Sequence, residues 1–256
     1  MKRAAGHGAG VVVGMLITCA AVPASEIGQE VADRIDVATY RYYLDGPLYT
    51  HDGDDRGAWW SVKGEEHDPA RDNIVAIFQS YGLSVELQEI DVWPLYWHNV
   101  IATQLGSVYP DSYYVVGAHY DSYAFGTPAP GADDDASGVA GLLEIARVLS
   151  LYETEYTIKY IAFDIEEWGM CGSYAYVDEH LTDDIRGMVQ LDMIARDGGW
   201  YGCEVRGTSQ SDPIKLALAD AVAAYGGALD HSAVPPGPLA RALGSDWQRG
   251  AGHERV

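Results

Sequence analysis

The chain has 256 residues, of which 38 are acidic and 16 basic, so its formal net charge is −22 at pH 7. This charge argues against nucleic acid and anionic membrane surfaces as partners, because both repel an acidic protein. Hydrophobic residues make up 48% of the chain and no internal repeat is found, so we expect one domain with one sizeable core.

The N-terminus has the features of a secretory signal peptide. Two basic residues precede an apolar run from about Val11 to Ala21, and residues 22–24, Val-Pro-Ala, supply a cleavage site. The run is too short for a stable membrane span, which takes about 20 residues. We therefore expect residues 1–24 to be removed, residues 25–256 to form the mature domain, and the protein to be secreted or periplasmic. Lipid attachment at Cys19 is the weaker alternative.

The rest of the chain alternates between helix-like and strand-like segments. The sequence predicts helices at residues 26–44, 69–81, 136–150 and 212–225, and a polar loop at residues 49–66. It predicts strands at residues 84–90, 99–104, 113–119, 157–163 and 188–192. Apolar strands that alternate with amphipathic helices indicate an α/β protein, with three layers and a mostly parallel sheet covered by helices on both faces.

Histidine and acidic residues follow three of these strands. His119 ends one strand and three consecutive aspartates, residues 133–135, come soon after it. Glu166 and Glu167 follow the next strand, and Asp192 ends another. Each piece alone is typical of a buried histidine or a solvated acidic loop. In a parallel sheet, however, the carboxyl ends of the strands meet at one edge, where imidazole and carboxylates together can bind a divalent metal such as zinc.

Four motifs also carry a family resemblance. HYDS, PGADDDASG, EEWG and QLDM resemble, in order and spacing, the di-zinc aminopeptidases that include secreted bacterial leucine aminopeptidases. The same fold carries glutamate carboxypeptidase II and glutaminyl cyclase, and the resemblance covers roughly residues 69–196. It implies a zinc-dependent exopeptidase fold and a secreted enzyme that removes N-terminal residues, apolar ones in particular, from peptides.

The resemblance also implies a role for each motif residue. His119 and Asp192 would bind one zinc ion and Glu167 the other, while Asp134, the middle aspartate, would bridge both ions. Asp121 would orient the ring of His119. Glu166 would be the general base that takes a proton from water and passes it to the leaving amine.

The sequence departs from the family near its C-terminus. Members of the family supply a further histidine ligand there, in a segment such as H-T-x-x-D. In this chain Gly244-Ser245-Asp246 is followed by Trp247 where the family has histidine, and neither His231 nor His253 has the family context. We therefore expect a domain truncated near residue 247, an incomplete second zinc site and poor activity.

Other functions are compatible with the same motifs. One alternative is different chemistry on the same fold, namely that of a carboxypeptidase, deacylase or glutaminyl cyclase. Another is a binding module that lacks working metals. The sequence leaves open the preferred substrate side chain, the oligomeric state and the metal, because zinc, cobalt and manganese can all bind such ligands.

Two cysteines remain after the leader, Cys171 and Cys203. An oxidising compartment would allow them to form a disulfide that closes a loop around the site. Two buried free thiols are the alternative.

Overall fold

The computed structural model describes residues 25–59, 62–123, 128–195 and 205–225. The helices are α1 to α6, in chain order Glu26–Asp33, Val37–Asp45, His67–Ser80, Ala136–Leu149, Cys171–Glu179 and Asp212–Tyr225. The strands are β1 to β7, in chain order Ala58–Trp59, Val62–Lys63, Ser84–Val92, Leu95–Gln104, Tyr109–His119, Tyr156–Phe163 and Asp184–Gln190. No helix within these ranges is long and apolar enough to cross a membrane. The expected signal peptide lies outside them.

The central sheet has five strands in the order β3-β4-β6-β5-β7. Strand β5 pairs in parallel with both β6 and β7, whereas β4 pairs antiparallel with β3 and β6. The α/β class is confirmed, but the described sheet is mixed rather than mostly parallel. The reason is local: only residues 93–94 separate β3 from β4, and so short a connection permits only an antiparallel hairpin.

Other elements differ from the sequence prediction at their boundaries or in number. The helix predicted at residues 26–44 is two helices, because Asp36 begins the second one by accepting hydrogen bonds from the N–H groups of Ala38 and Thr39. Within the predicted polar loop at residues 49–66, β1 and β2 form a short hairpin. Helix α5 was not predicted, since its sequence has little amphipathic periodicity.

Helices cover both faces of the sheet, as the three-layer prediction requires. On one face, α2, α3 and α4 pack against side chains that include Val100 and Ala102 of β4. On the other face, Tyr176 of α5 packs with a group that includes Ile101. These three consecutive β4 residues alternate between the two layers because successive side chains of a strand point to opposite faces.

The three parallel strands end at the same edge of the sheet. Strands β5, β6 and β7 end at His119, Phe163 and Gln190, and the parallel register sets His119 beside Phe163. Segments that continue from these ends therefore converge. The same edge receives the N-terminus of α4, which begins at Ala136 directly after the three aspartates.

The stripe of α4 that faces the sheet provides a test of this packing. Leu142→Ala should lower the free energy of unfolding by about 2 to 5 kcal/mol, because Leu142 is fully buried and the change leaves a cavity. Leu105→Ala is the matched control, since Leu105 is 72% exposed. Its effect should be within about 0.5 kcal/mol. Urea unfolding of both variants checks this, and equal losses would contradict the packing.

Candidate metal centre

His119 is buried at the end of β5, with a carboxylate at each ring nitrogen. Its Nδ1 lies 3.2 Å from Oδ1 of Asp121, and its Nε2 lies 3.1 Å from Oδ1 of Asp134. Burial alone would lower the pKa of His119, but the hydrogen bonds with Asp121 and Asp134 outweigh burial and raise that pKa well above its ordinary value. Asp121 therefore lies where it can orient the ring, with Nε2 turned toward the acidic loop.

Asp121 also holds the two glutamates that follow β6. Its Oδ1 accepts the N–H of Glu166 at 3.1 Å, and its Oδ2 accepts the N–H of Glu167 at 3.2 Å. As the sequence indicated, Glu166 and Glu167 lie just past the end of β6, where their side chains are not restricted to opposite faces. One fully buried carboxylate thus fixes the imidazole and the backbone of both glutamates.

Asp135 ties three segments together, a role the sequence analysis missed. Its Oδ1 accepts the N–H groups of Gly138 at 2.9 Å and Met193 at 3.1 Å, and its Oδ2 accepts the N–H of His119 at 3.1 Å. It therefore caps α4 and connects that helix to the segments after β5 and β7. The sequence did indicate the capping role of Asp135, since an aspartate directly before an apolar helical stripe is a preferred N-cap residue.

Two groups of ligand-type side chains come together here, and both contain His119. Ligand atoms of His119, Asp134 and Glu167 lie within 4.8 Å of one another, and so do those of His119, Asp135 and Asp192. The sequence analysis expected Asp134 to be the shared residue. In the structure His119 is the residue that both groups share, and Asp135 rather than Asp134 is grouped with Asp192.

The donor set fits zinc. Two atoms bound to one tetrahedral zinc ion lie roughly 3.3 Å apart, and the 3.1 Å between His119 Nε2 and Asp134 Oδ1 is close to this. Imidazole nitrogen and carboxylate oxygen are both zinc ligands. Asp134 is half-buried, whereas Asp135 is fully buried and already accepts three N–H groups, so Asp134 has the more available oxygens.

The electrostatics agree with a cation site. Burial, reinforced by the charge of Asp134, raises the pKa of Glu167 to about 7. Burial also raises the pKa of Glu166 and of Asp192, and neighbouring carboxylates add to both shifts. Crowded acidic groups disfavour one another's charge, and a divalent cation among them would relieve that repulsion.

A second buried network, also missed from the sequence, lies behind the glutamates. Asp164 is fully buried and accepts the Tyr120 hydroxyl at 2.7 Å, while its other oxygen lies 2.8 Å from Nε2 of His67. Burial alone would lower the pKa of His67, but the charge of Asp164 and hydrogen bonds with Asp164 and Asp68 raise it to about 9. His67 is therefore a buried cation at neutral pH.

Arg56 is a second buried cation, beneath the loop that leads to the three aspartates. It donates to the carbonyl groups of Tyr120, Pro130 and Gly131. Burial lowers the pKa of its guanidinium to about 10, so the group keeps its charge at neutral pH. Arg56 thereby fixes the start of the acidic loop against the end of β5.

Of the two cysteines and the late residues singled out from the sequence, the structure describes only Cys171. Cys171 carries a free thiol whose Sγ lies 3.6 Å from the carbonyl oxygen of Trp168, which speaks against the expected disulfide. Its expected partner, Cys203, lies outside the described residues. So do His231, Trp247 and His253, and the expected lack of a further histidine ligand therefore stays a prediction.

More than half of the chain also matches a known protein family. Residues 99–239, just over half of the chain, match the sequence profile of Peptidase family M28. The chain belongs to this family. The resemblance drawn from the four motifs is confirmed, and with it the expectation of a hydrolase of the metallopeptidase type.

Two relatives in sequence support the assignment to M28. A probable zinc metalloprotease of Pyrenophora teres f. teres is 37% identical over 134 residues, which are 48% of this chain and 29% of that protein. Aminopeptidase YwaD of Bacillus subtilis is 48% identical over 75 residues, which are 29% of this chain and 15% of YwaD. The chain thus spans less than a third of the length of these M28 relatives, and zinc is the metal that the first of them names.

The fold agrees with solved structures of the same type. A leucine aminopeptidase precursor from Bacteroides thetaiotaomicron superimposes with a TM-score of 0.60 at 20% identity. The alignment covers 81% of this M28 chain and 83% of that one. This likeness confirms the exopeptidase fold expected from the sequence.

His67 predicts a pH dependence of stability. Its pKa rises from an ordinary 6.5 to about 9 on folding, so between these values the folded state holds a proton that the unfolded state releases. The free energy of unfolding should therefore fall as the pH rises from about 6.5 to about 9. Urea unfolding across this range measures the slope.

The variant His67→Gln isolates that contribution, because glutamine does not titrate. Glu167 and Asp135, whose pKa values are each about 7, titrate in the same range, but they do so in both proteins. The difference in unfolding free energy between wild type and variant should shrink toward pH 9. A difference that is independent of pH would show that His67 carries no extra proton in the folded state.

Proposed function

We propose that this M28 member is a secreted aminopeptidase that uses two zinc ions to remove N-terminal residues from peptides. The observation that carries the proposal is that Glu166 stands beside both ligand groups but belongs to neither. Its backbone N–H is fixed by Asp121, next to that of the ligand candidate Glu167. A metallopeptidase needs such a carboxylate, close to the ions yet free to carry protons.

The proposed ligands are those that the family resemblance implies, and each of them belongs to one of the two groups around His119. Glu167 and Asp134 would hold one ion, and His119, Asp134 and Asp192 the other. The ion at Glu167 would then have two protein ligands among these residues, which is the incomplete second site expected from the sequence. Zinc bound there would lower the pKa of a water molecule and polarise the scissile carbonyl group. Asp121 would keep the ring of His119 in the orientation that presents Nε2.

Glu166 would then handle the proton. It would accept a proton from the attacking water and donate it to the nitrogen of the leaving amine. Burial and the surrounding carboxylates raise the pKa of Glu166, which brings that pKa nearer to neutral pH. A general base works best when its pKa lies near the operating pH.

An aromatic cluster beside the site supports a preference for apolar side chains. The ring centroid of Trp59 lies 5.2 Å from that of Tyr123 and 6.3 Å from that of Trp168. Trp168 directly follows Glu167, and a β-bridge between Gly57 and Ser122 holds the β1 segment against the chain after His119. We propose that this cluster contacts an apolar side chain next to the scissile bond, since aromatic rings supply much contact area for such groups.

Secretion is part of the proposal and rests on the N-terminal sequence alone. Residues 1–24 combine basic residues, an apolar run and a cleavage site. Export to an extracellular or periplasmic space would bring the enzyme to peptide substrates. Mass spectrometry of the mature N-terminus, with residue 25 expected first, would test this.

The first functional prediction separates proton transfer from metal binding. Glu166→Gln should keep its zinc and lose about 100-fold or more of its turnover, because only the proton carrier is removed. Asp134→Ala should lose zinc as well as activity. Zinc content and kcat measured on the same samples check both, with Glu65→Gln, an exposed acidic residue, as the matched control. Equal zinc loss from Glu166→Gln and Asp134→Ala would refute the division of roles.

The reaction itself is tested with a substrate panel. Aminoacyl amides, acyl-glutamates and peptides with N-terminal glutamine should be compared with and without a chelator. Chelator-sensitive hydrolysis of the aminoacyl amides alone is the expected result. Cyclisation of the glutamine peptides, or cleavage of acyl-glutamates, would replace the proposed reaction. Binding without any turnover would indicate a binding module instead.

The aromatic cluster gives a prediction about specificity. Trp59→Ala should raise KM for peptides with leucine or phenylalanine by about 2- to 12-fold and leave alanine peptides nearly unchanged, because an aromatic contact contributes about 0.5 to 1.5 kcal/mol. Varying the residues on either side of the scissile bond identifies the position that the cluster contacts. Trp93→Ala is the control, since Trp93 is 81% exposed in the β3–β4 turn. A uniform change for all peptides would argue against the contact.

A further inference from the structure

The backbone just before the two glutamates has an unusual conformation. Ile165, between the end of β6 and Glu166, has φ = 47°, in the left-handed region. This region is unfavourable for a β-branched residue, which therefore needs support from its surroundings. Ile165 is fully buried, and its turn sets the direction in which Glu166 and Glu167 leave the strand.

Side chains hold every backbone N–H group of this turn. The N–H of Asp164 donates to Asn99 Oδ1 at 2.9 Å, and that of Ile165 donates to Asp164 Oδ1 at 2.8 Å. The next two, of Glu166 and Glu167, donate to the two oxygens of Asp121. Four consecutive N–H groups are thus fixed by three carboxylate or amide side chains, without a regular helix or strand.

Asp164 is itself held from three elements. Besides the N–H of Ile165, its Oδ1 meets Nε2 of His67, at the start of α3, at 2.8 Å. Its Oδ2 accepts the N–H of His98, in β4, at 2.9 Å and the hydroxyl of Tyr120, after β5, at 2.7 Å. The carboxylate is completely buried, so it cannot turn without breaking several charge-assisted hydrogen bonds.

We infer that Asp164, clamped by His67 and Tyr120, is a positioning residue that sets the placement of Glu166 and Glu167 at the metal centre. Asp164 touches neither substrate nor metal and acts through the backbone of Ile165. A displacement of about 1 Å in a reacting group can lower the rate about 100-fold, so loss of this support should lower kcat. The rate effect rests on the proposed function, whereas the effect on zinc binding through Glu167 does not.

A pair of tyrosines provides a matched test. Tyr120→Phe removes the hydroxyl that holds Asp164, while Tyr160→Phe removes a hydroxyl that bonds to Gln104 at 2.8 Å, far along β6 from the glutamates. Both tyrosines are fully buried, so both variants remove a buried hydroxyl. The Tyr120 hydroxyl also lies 2.9 Å from the carbonyl oxygen of His98, so Tyr120→Phe removes that contact as well. Asp164→Asn is the stronger change, because the amide cannot accept from all of its present donors.

Zinc dissociation constants, kcat and KM should be measured for wild type, Tyr120→Phe, Tyr160→Phe and Asp164→Asn. Tyr120→Phe should lower kcat about 10-fold or more with KM within about 2-fold, and Asp164→Asn should weaken zinc binding about 10- to 100-fold. Tyr160→Phe should change neither, although its unfolding free energy falls to a similar extent.

The outcomes are distinguishable. Equal effects of Tyr120→Phe and Tyr160→Phe on zinc binding and kcat would overturn the inference and leave Asp164 a purely structural group. If Asp164→Asn does not fold, the two tyrosine variants decide. If wild type cleaves no peptide, the proposed function fails, and the zinc dissociation constant of Asp164→Asn, compared with that of Tyr160→Phe, decides whether Asp164 acts on the metal centre.

Discussion

The structure depends on gathering many carboxylates at one edge of a sheet, where burial and mutual repulsion both act against their charge. Carboxylates this close raise one another's pKa, and burial adds to the effect. The chain meets this constraint in two ways. Some of the carboxylates accept hydrogen bonds from backbone N–H groups. Others are less buried and keep oxygens available to an ion.

The division between these two sets follows burial. Asp121, Asp135 and Asp164 are fully buried, and each accepts at least two hydrogen bonds from backbone N–H groups. Asp134, Glu166, Glu167 and Asp192 are more exposed, and no hydrogen bond from a backbone N–H group to their carboxylates is found within the described ranges. The first set builds the frame, and the second set is left for the cation and the proton. The backbone N–H groups bond to the buried aspartates, and the carboxylates of the second set therefore stay available to a metal ion and a proton.

The convergence of the candidate ligands was predictable from local sequence, whereas the hydrogen bonds that support them were not. His119, Glu167 and Asp192 could be singled out because each lies at or near the end of an apolar strand, and parallel strand ends meet. Asp134 could be singled out because it lies in the run of three aspartates just before α4. Asp135 had a recognisable signal as a helix cap, yet its proximity to Asp192 depends on how the chain enters α4.

Long-range contacts explain the remaining gaps. His67 and Asp164 are 97 positions apart, and no periodicity or spacing links them. Likewise, the antiparallel direction of β4 depends on a two-residue turn, which hydrophobic patterns cannot distinguish from a longer crossover. Tertiary contacts, rather than local propensity, decide both features.

Two buried cations complete the arrangement. His67 lies against Asp164, and the charge of Arg56 is favoured most by Asp121 and Asp135, so the positive charges are directed at the frame. Burial alone would raise the pKa of Asp164, but the charge of His67 and the hydrogen bonds from His67, His98 and Tyr120 together lower it. For Glu167, burial and the neighbouring carboxylates outweigh the attraction of His119 and raise its pKa to about 7. Arg56 also favours the charge of Asp134, though less than that of Asp121 and Asp135. A buried cation against Glu167 would compete with zinc for the same oxygens. Placing the two cations behind the frame leaves the attraction for a metal where the ligands converge.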